Sequence, residues 1–569
     1  AIIAGEAAAM EVLDLSGFPI RWTPAEAPSE DLATPATPPV HESRADNILI
    51  TGKVQRGDAD AALAAAAVTA EAEVETAYVE HAYIEPEAGS AWMDGDQLVI
   101  RACTQAPVMD RDDTALVLGL PPERVRIIPA AAGGGFGSKL DLSVQPLLGL
   151  VTLLTGRPSR IIYTRAESMA STTKRHPGRM RGRAGVDAAG KVTGMLFDGD
   201  FNTGAYASWG PTVATRVPVH ASGPYRTPNY RAEARAIHTN GPISGAFRGF
   251  GVPQAAIMQE WLYDELAGKC GLDRLEFRRR NAFRDGDVTT CGQTLPMVGL
   301  QECLDALAPH WKRATQDADA HNAQGGPTRR GIGVASCWYG CGNTGLPNPS
   351  TIRLGITPDG RLRLHQGATD IGQGANTVIA QIAADSLGLP VDAIELVGPD
   401  TALTPDCGKT SASRQTFITG RAAEAAGAAL RAQILRMTNF SDDATLGLAD
   451  GKLSASHGDE TQDIPLGAPN AHGYALMAEE TYDPPTTGLD ENGQGTPYAL
   501  YGYGAQIAEV EVDLVLGTTR VLNIVAAHDV GRAINPLLAE GQIEGGIAQG
   551  LGLALMEEFI PGRTENLHD

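Results

Sequence analysis

The sequence predicts a mixed α and β protein built from two large halves, and three observations carry that prediction. The chain has 569 residues, far more than one hydrophobic core contains, which indicates two to four domains. Segments that alternate apolar and polar residues, as strands do, occur beside Ala-rich segments that are typical of helices. A polar stretch containing Gly and Pro, residues 312–330, predicts a linker between the halves.

The first half begins with a predicted connector and continues with helix and strand patterns. Residues 26–47 are rich in Pro and acidic residues, which predicts an exposed connector. Residues 57–72 are Ala-rich and predict a helix. Residues 75–105 alternate as strands do, and residues 112–130 predict a helix, a turn and a strand.

A glycine-rich run, AAGGGFGSKLD at residues 131–141, directly follows the last of these strands. The next apolar stretch, residues 144–158, predicts a helix that ends at Gly156 and Pro158. The run therefore lies on a strand-to-helix turn, where backbone N–H groups can face an anionic ligand. It matches neither the dinucleotide fingerprint nor the Walker loop.

The second half alternates strand patterns with Ala-rich helices and contains further loops of small residues. These loops span residues 367–376, 408–420 and 529–552, and a comparable loop in the first half contains Arg248. Loops rich in Gly, Ser and Gln supply many N–H and amide groups but few charges. Several such loops together favour one large, polar, anionic ligand held inside the protein.

Composition excludes several other classes of protein. The net charge of −23 argues against a nucleic-acid partner, and no apolar run is long enough to span a bilayer. The N-terminus has no basic region of a secretory signal. Seven scattered cysteines without a C-x-x-C pair predict a reduced, cytoplasmic chain without its own iron–sulfur cluster or structural zinc. Neither H-E-x-x-H nor G-x-S-x-G is present, so neither a His-ligated metal nor a serine hydrolase is indicated.

The small-residue loops resemble those of the molybdenum-binding subunit of the xanthine dehydrogenase and aldehyde oxidase family, the molybdenum hydroxylases. The matching motifs occur in family order over nearly the whole chain: HAYIEP (81–86), CTQAPVMDRD (103–112), GGGFGSK (133–139), NTGAYASWGP (202–211), GAFRGFGVPQ (245–254), DIGQG (370–374), TSASRQTFITG (410–420) and GQIEGGIAQGLG (541–552). The resemblance implies an α+β fold in which two large mixed α/β domains enclose a molybdopterin cofactor. It also implies that the pterin is extended as the cytosine dinucleotide.

The resemblance also implies a division of the chain into domains. Residues 1–45 would be the tail of a small N-terminal α/β domain with a connector. Residues 46–311 would form the first cofactor-binding domain, 312–330 the linker and 331–569 the second cofactor-binding domain, which is expected to be incomplete at its C-terminus.

Roles for individual residues follow from the resemblance, position by position. Gln105 would bond a terminal oxygen of the molybdenum, and Gly135, Phe136 and Gly137 would line the face of the metal, which takes no protein ligand. Arg248 would lie beside the centre. The remaining cofactor contacts would be Gln373, Gln542 and Gln549 on the pterin, and Ser411, Ser413, Arg414 and Gln415 on the phosphate or nucleotide end.

The substrate side is predicted from the same resemblance. The candidates are Leu140, Arg216, Phe250, Trp338 and Tyr339. An arginine with aromatic rings favours an N-heteroaromatic substrate, purine- or pyridine-like, whereas Leu140 replaces a purine-gripping glutamate and favours an aldehyde. The expected reaction is hydroxylation of a carbon with oxygen from water.

One departure from the family concerns the general base. In the family this glutamate lies in a C-terminal Gly-Val-Gly-Glu motif, which this sequence does not contain, so no catalytic residue is assigned. Glu557 and Glu558 lie in LALMEEF, on a predicted helix, where we expect them to be solvated. Either the molybdenum subunit is divided among polypeptides, or this is an incomplete chain. The alternative function is that of a non-catalytic cofactor-binding paralogue that lost its base.

Partner subunits are expected as well. Electrons would leave through a [2Fe–2S] subunit and an FAD subunit, in a dimer of heteromers. The alternative activity is aldehyde oxidation by the same family architecture.

Overall fold

The computed structural model of the chain describes residues 2–21, 23, 32 and 39–569. Its α-helices are α1 (Ala7–Glu11), α2 (Ala59–Ala64), α3 (Pro107–Leu118), α4 (Gln145–Thr155), α5 (Arg165–Ser171), α6 (Gly210–His220), α7 (Val252–Lys269), α8 (Arg274–Asn281), α9 (Leu300–Ala323), α10 (Ala375–Leu387), α11 (Gly420–Leu435) and α12 (Pro536–Leu555). Short 3₁₀ turns span Pro122–Arg124, Ser138–Leu140 and Val391–Ala393, and a π-helical turn spans Gln415–Thr419.

The strands alternate with these helices along the chain. They are β1 (Ile48–Arg56), β2 (Val68–Thr76), β3 (Ala88–Asp94), β4 (Gln97–Ala102), β5 (Val125–Pro129), β6 (Ser159–Ile162), β7 (Gly178–Val186), β8 (Val192–Gly204), β9 (Asn229–His238), β10 (Thr328–Gly340), β11 (Ser350–Ile356), β12 (Leu362–His365), β13 (Ile394–Val397), β14 (Thr445–Ala449), β15 (Lys452–His457), β16 (Glu460–Ile464), β17 (Leu476–Tyr482), β18 (Tyr501–Asp513) and β19 (Thr519–Asp529).

The strands form mixed and antiparallel sheets. The first half contains the order β1-β9-β8-β7-β2, in which only β8 and β9 run parallel, and the order β5-β4-β3-β6, in which β4 and β5 run parallel. The second half contains β10-β18-β19, β13-β12-β11-β17 and β14-β15-β16. Helices pack on these sheets, so the predicted α+β class is confirmed.

The largest apolar core crosses the boundary between the halves. Phe197 of β8 and Leu262 of α7 belong to the same buried cluster as Trp338 of β10 and Ile507 of β18. A separate core lies between β11, β12, α10 and α11. The sheet of β10, β18 and β19 therefore packs with the first half, although it follows it in sequence.

The predicted linker at residues 312–330 is wrong. Helix α9 continues to Ala323, and β10 begins at Thr328. The polar residues cover the exposed face of this amphipathic helix, while Ala314 and Ala318 are buried on its other face. Polar composition alone does not distinguish an exposed helical face from a linker.

Other predicted elements in the first half differ in their bounds. The helix expected over 57–72 is only α2, capped by the Asp58 side chain, and β2 follows because its alternating residues pair with β7. The strand pattern over 75–105 becomes β3 and β4, with a loop before them. Helix α3, a turn and β5 confirm the prediction for 112–130, and α4 ends at Gly156 as predicted. Most of the expected connector at 26–47 lies outside the described residues.

Candidate active site

Gln105 joins three of the predicted loops. Its backbone N–H donates to the carbonyl of Lys139 (2.8 Å), and its carbonyl accepts from the N–H of Thr410 (2.8 Å). Its side-chain Oε1 accepts from the Gly137 N–H (3.0 Å), and Nε2 donates to the Thr410 carbonyl (2.7 Å). A single buried amide thus connects the glycine run of the first half with the 408–420 loop of the second. One N–H of Nε2 remains for another acceptor.

The glycines of the run allow close packing of protein atoms. A Cβ on Gly135 would lie 3.1 Å from Cδ of Gln105, and one on Gly137 would lie 2.7 Å from the Ala246 carbonyl carbon. Gly137 has φ +121°, and Phe136 between these glycines has φ +52°. The resemblance implies that Gly135 and Gly137 line the face of the metal, whereas the contacts seen here are with Gln105 and Ala246.

Arg248 contacts three other predicted cofactor residues. Its backbone N–H donates to the Phe136 carbonyl (2.8 Å). Its guanidinium donates to the carbonyl of Gln542 (2.7 Å), to the side chain of Gln542 (3.3 Å) and to the side chain of Gln549 (3.3 Å). Burial lowers the pKa of this guanidinium. The loop at 245–251 therefore links the glycine run to α12.

Two further contacts close these loops into a ring. The Thr410 hydroxyl donates to the Thr369 carbonyl (2.7 Å), which joins the 408–420 loop to the 367–376 loop. At Gly374 the latter loop approaches Leu538 in the first turn of α12 so closely that an added Cβ would lie 2.6 Å from a methyl carbon. We call the loops 103–106, 133–139, 245–251, 367–376 and 408–414, together with α12, the loop ring.

Several predicted cofactor contacts in or next to the loop ring are already engaged within the protein. The Gln373 side chain accepts from the N–H of Ile371 (2.7 Å) and donates to the carbonyl of Thr369 (3.1 Å), which closes its own turn. Gln415 donates to the Thr410 hydroxyl (3.2 Å) and accepts from the hydroxyl of Thr419. Ser413 is exposed and has φ +54°.

Arg414 does not have the predicted role of a phosphate fork. Its guanidinium donates to the side chain and carbonyl of Asn348 (2.8 and 3.2 Å) and to the carbonyl of Pro349 (2.7 Å). It also donates to the carbonyls of Cys407 and Lys409. These bonds use all the N–H groups of an arginine, and the side chain is 1% exposed. Arg414 therefore fixes the shape of its loop and offers a ligand no free donor.

The predicted substrate residues divide into two groups. Arg216 on α6 is buried, donates to the Tyr339 hydroxyl and the Gly342 carbonyl (2.7 Å), and lies 5.3 Å from the Phe250 ring. Its Nε has no hydrogen-bond partner among the described residues. Arg216, Tyr339 and Phe250 are thus brought together, and Phe250 follows Arg248 of the loop ring by two residues.

The other two substrate candidates are placed differently. Trp338 is 2% exposed, stacks on Tyr501 at 4.7 Å and donates to the carbonyl of His220, so the prediction that it lies on the substrate side is wrong. Successive residues of a strand point to opposite faces, so Trp338 faces the core when Tyr339 faces Arg216. Leu140 has no exposed surface and belongs to the large apolar core, so it does not border open space.

Sequence analysis missed two charged residues beside this group. The Lys409 ammonium lies 5.2 Å from the centre of the Trp209 ring, and burial lowers its pKa to about 8. Asp141 accepts from the Ser208 hydroxyl (2.9 Å), and burial raises its pKa to about 6. Both residues lie in small-residue loops, at 408–420 and 131–141, but no local pattern shows that a charged side chain of such a loop is buried.

Glu557 and Glu558 follow α12 instead of lying on it as predicted. The Glu557 N–H donates to the Gly552 carbonyl (2.8 Å), and its carboxylate lies against Gly552. Burial raises the pKa of this carboxyl, and the nearby Arg175 opposes that change. Both residues are nevertheless exposed, as expected from the sequence.

The loop ring suits an extended polar cofactor by the chemistry of its donors. Three buried polar atoms in or next to the loop ring have no hydrogen-bond partner among the described residues: Ser411 Oγ, Thr369 Oγ1 and Gln366 Oε1. Arg248 and the spare N–H of Gln105 add donors from the first half. A pterin offers alternating donors and acceptors that match such groups.

Two kinds of feature are absent from the part of the chain that the structure describes. No three His, Cys, Asp or Glu side chains converge there in a manner that could hold a metal ion. No described helix combines the length and apolar character needed to cross a membrane.

Comparison with known families identifies both halves. Residues 40–282 and residues 306–568 each match a molybdopterin cofactor-binding domain. The xanthine dehydrogenase molybdenum-binding subunit of Escherichia coli O157:H7 is 31% identical over 98% of this chain and 74% of its own length. The nicotinate dehydrogenase large molybdopterin subunit of Eubacterium barkeri is 41% identical over 46% of this chain and 61% of its own length.

A solved structure has a similar fold. The aldehyde oxidoreductase of Desulfovibrio desulfuricans superposes with a TM-score of 0.82 and is 29% identical, over 92% of this chain. This chain spans 56% of the length of that protein.

Fold, loop ring and domain matches together define a molybdopterin-binding oxidoreductase. The chain belongs to the xanthine dehydrogenase and aldehyde oxidase family, as a molybdenum-binding large subunit of the molybdenum hydroxylases.

Proposed function

We propose that this subunit hydroxylates a ring carbon of an N-heteroaromatic substrate, purine- or pyridine-like. The overall change is R–H + H₂O → R–OH + 2 e⁻ + 2 H⁺. The observation that carries the proposal is the group formed by Arg216, Phe250 and Tyr339 beside the loop ring. The similarity to the large subunit of nicotinate dehydrogenase over nearly half of the chain supports a ring of the pyridine type.

The chain would bind and orient both the molybdopterin cofactor and the substrate. Molybdenum bound through the pterin would supply the two-electron acceptor. Gln105, Arg248, Gln542 and Gln549 would hold that cofactor through N–H and amide groups, with Ser411 offering a free hydroxyl. The role of Gln373 would then be to shape its turn, since its amide is bonded there.

On the substrate side, Phe250 would lie against a flat ring, and Arg216 would donate to its polar edge. Tyr339 holds the guanidinium in place, and the unpartnered Nε leaves one N–H to point toward a ligand. An aromatic face with a directed donor suits a nitrogen heterocycle better than an aliphatic aldehyde. Leu140 no longer argues for an aldehyde, because it is a core residue.

We infer further that the cofactor is the cytosine dinucleotide, and that electrons leave through [2Fe–2S] and FAD subunits in a cytoplasmic dimer of heteromers. The remainder of the molybdenum domain, including the general base, would lie on a further chain or segment. The motif resemblance and the similarity to a relative described as a subunit support this assembly. Mass spectrometry of the released nucleotide, with iron and flavin analysis of co-purified chains, would test it.

The first experiment is to analyse molybdenum and pterin in the complex that co-purifies with this chain and then to assay dye reduction. The candidate substrates are a purine, a pyridine and an aldehyde. We expect about one molybdenum per chain and turnover of a heterocycle. Turnover of aldehydes alone would assign the alternative activity. A folded complex without molybdenum, isolated from a host that makes the cofactor, would identify a non-catalytic paralogue.

A further inference from the structure

Lys409 is a partly buried cation without an anionic or hydrogen-bonding partner in the site. Its ammonium makes no hydrogen bond or ion pair with any described residue, and it lies over the face of the Trp209 ring, 5.2 Å from the ring centre. An ammonium has three N–H donors, and withdrawing it from water without an acceptor is costly.

The surroundings of Lys409 increase that cost. Arg414 and Arg216 are the like charges that act on it, and the opposing charge is that of Asp406. Asp406 is exposed, and one of its carboxylate oxygens accepts from the N–H of Gly408 (2.7 Å). Two neighbouring cations and one screened anion leave the site with a positive potential that an anionic ligand would offset.

The same residues form a continuous surface with the proposed substrate group. Trp209 meets Phe250 edge to face, with ring centres 6.3 Å apart, and Phe250 lies 5.3 Å from the Arg216 guanidinium. Asp141 bonds Ser208, the residue before Trp209, and so helps to fix the start of α6. Aromatic faces with a cation at each end suit a flat ring that carries an anionic group.

We propose that Lys409 is a specificity-determining residue that binds a carboxylate on the heteroaromatic substrate, so that the enzyme prefers an aromatic acid to its neutral analogue. This inference rests on the proposed function and narrows its substrate class. A carboxylate would accept from the Lys409 ammonium while the ring lies along Trp209 and Phe250. The unpartnered Nε of Arg216 would donate to the far edge of the ring.

The test uses a matched pair of ligands, pyridine-3-carboxylate and pyridine-3-carboxamide, which differ in charge but hardly in shape. Binding is measured calorimetrically on the purified molybdenum-containing complex, and turnover is measured by dye reduction. The wild-type complex should bind the acid more tightly than the amide. Lys409→Met should weaken binding of the acid about 10- to 100-fold and raise its KM, with little change for the amide.

Two further variants serve as controls. Lys409→Arg preserves the charge and should recover most of the affinity for the acid. Lys312→Met removes an exposed lysine of α9, a helix that is not part of the loop ring, and should bind both ligands as the wild type does.

The outcomes separate this inference from the proposed function. Turnover of neutral heterocycles with equal affinity for acid and amide would overturn the role of Lys409 but leave the proposed function intact. Failure to turn over any heterocycle, in a complex that contains molybdenum, would overturn the proposed function. Loss of pterin from the Lys409→Met complex, with unchanged preference between the ligands, would overturn the inference by assigning Lys409 to a phosphate of the cofactor.

Discussion

Replacement of Gly137 by alanine should destabilise the protein even when no cofactor is bound. Gly137 has φ +121° and ψ −29°, a conformation that alanine adopts only under strain. Its added methyl group would also lie 2.7 Å from the carbonyl carbon of Ala246, well inside van der Waals contact. Because the obstacle is backbone, a rotamer change cannot relieve it.

The magnitude follows from two additive costs. Backbone strain of this kind costs about 1–3 kcal/mol, and overpacking costs about 1–3 kcal/mol more. Displacement of Ala246 would also disturb Arg248, whose N–H bonds the Phe136 carbonyl at 2.8 Å. We therefore expect a loss of about 2–6 kcal/mol in the free energy of unfolding, together with loss of the contact between Arg248 and α12.

Gly156 provides the matched control. It ends α4 with φ +67°, and no atom lies within 4 Å of the position its Cβ would take. Gly156→Ala should therefore cost only the left-handed conformation, about 1–2 kcal/mol. The two variants separate backbone conformation from close packing.

The assay is thermal unfolding followed by circular dichroism, on protein made in hosts with and without the ability to make molybdopterin. Gly137→Ala should lower Tm more than Gly156→Ala does in both preparations. If Gly137→Ala leaves the Tm of the cofactor-free protein unchanged and lowers only its pterin content, the glycine serves the ligand directly. That result would contradict close packing against Ala246 as the reason for a glycine at this position.

Two further predictions concern buried charges of the site. Arg414→Lys should lower the Tm of the cofactor-free protein and reduce its free energy of unfolding by at least about 3 kcal/mol, because lysine cannot reach the Asn348, Pro349 and Cys407 acceptors together. An unchanged Tm with weaker cofactor binding would instead support the phosphate-binding role of Arg414. Burial raises the pKa of Asp141 from 3.8 to about 6, so its protonation contributes stability that is full below pH 3.8 and is lost as pH rises through 6. The free energy of unfolding of Asp141→Asn should therefore rise relative to that of the wild type, by up to about 3 kcal/mol, between pH 4 and pH 7. Chemical unfolding at several pH values measures this difference, and a difference that stays constant would contradict the raised pKa of Asp141.

The cofactor loops were predictable from sequence because loops rich in glycine and amides have a local signature. Motifs predict Gln105, the glycine run, Arg248 and the glutamines of α12, and the structure brings them together although 32 residues separate Gln105 from Gly137 and 301 separate Arg248 from Gln549. Their roles toward the cofactor remain predictions.

The sequence could not predict which donors are already used. Arg414 and Gln373 have the residue types of ligand contacts, but their N–H groups bond acceptors of their own or adjacent loops. Trp338 and Tyr339 are neighbours in sequence, but β10 directs them to opposite faces. Such outcomes depend on which chain segments fold against one another.

By itself, the sequence determined the mixed α and β class, the bounds of elements such as α4, and the small-residue loops. These features depend on local periodicity, on glycine geometry and on residue type, which are all encoded within short segments. Only the tertiary structure decided that α9 runs through the expected linker, that Leu140 belongs to the core, and that Lys409 lies beside Trp209 and Arg216 without a counterion. Burial and charge proximity arise from contacts between distant segments, so no local pattern of residues specifies them.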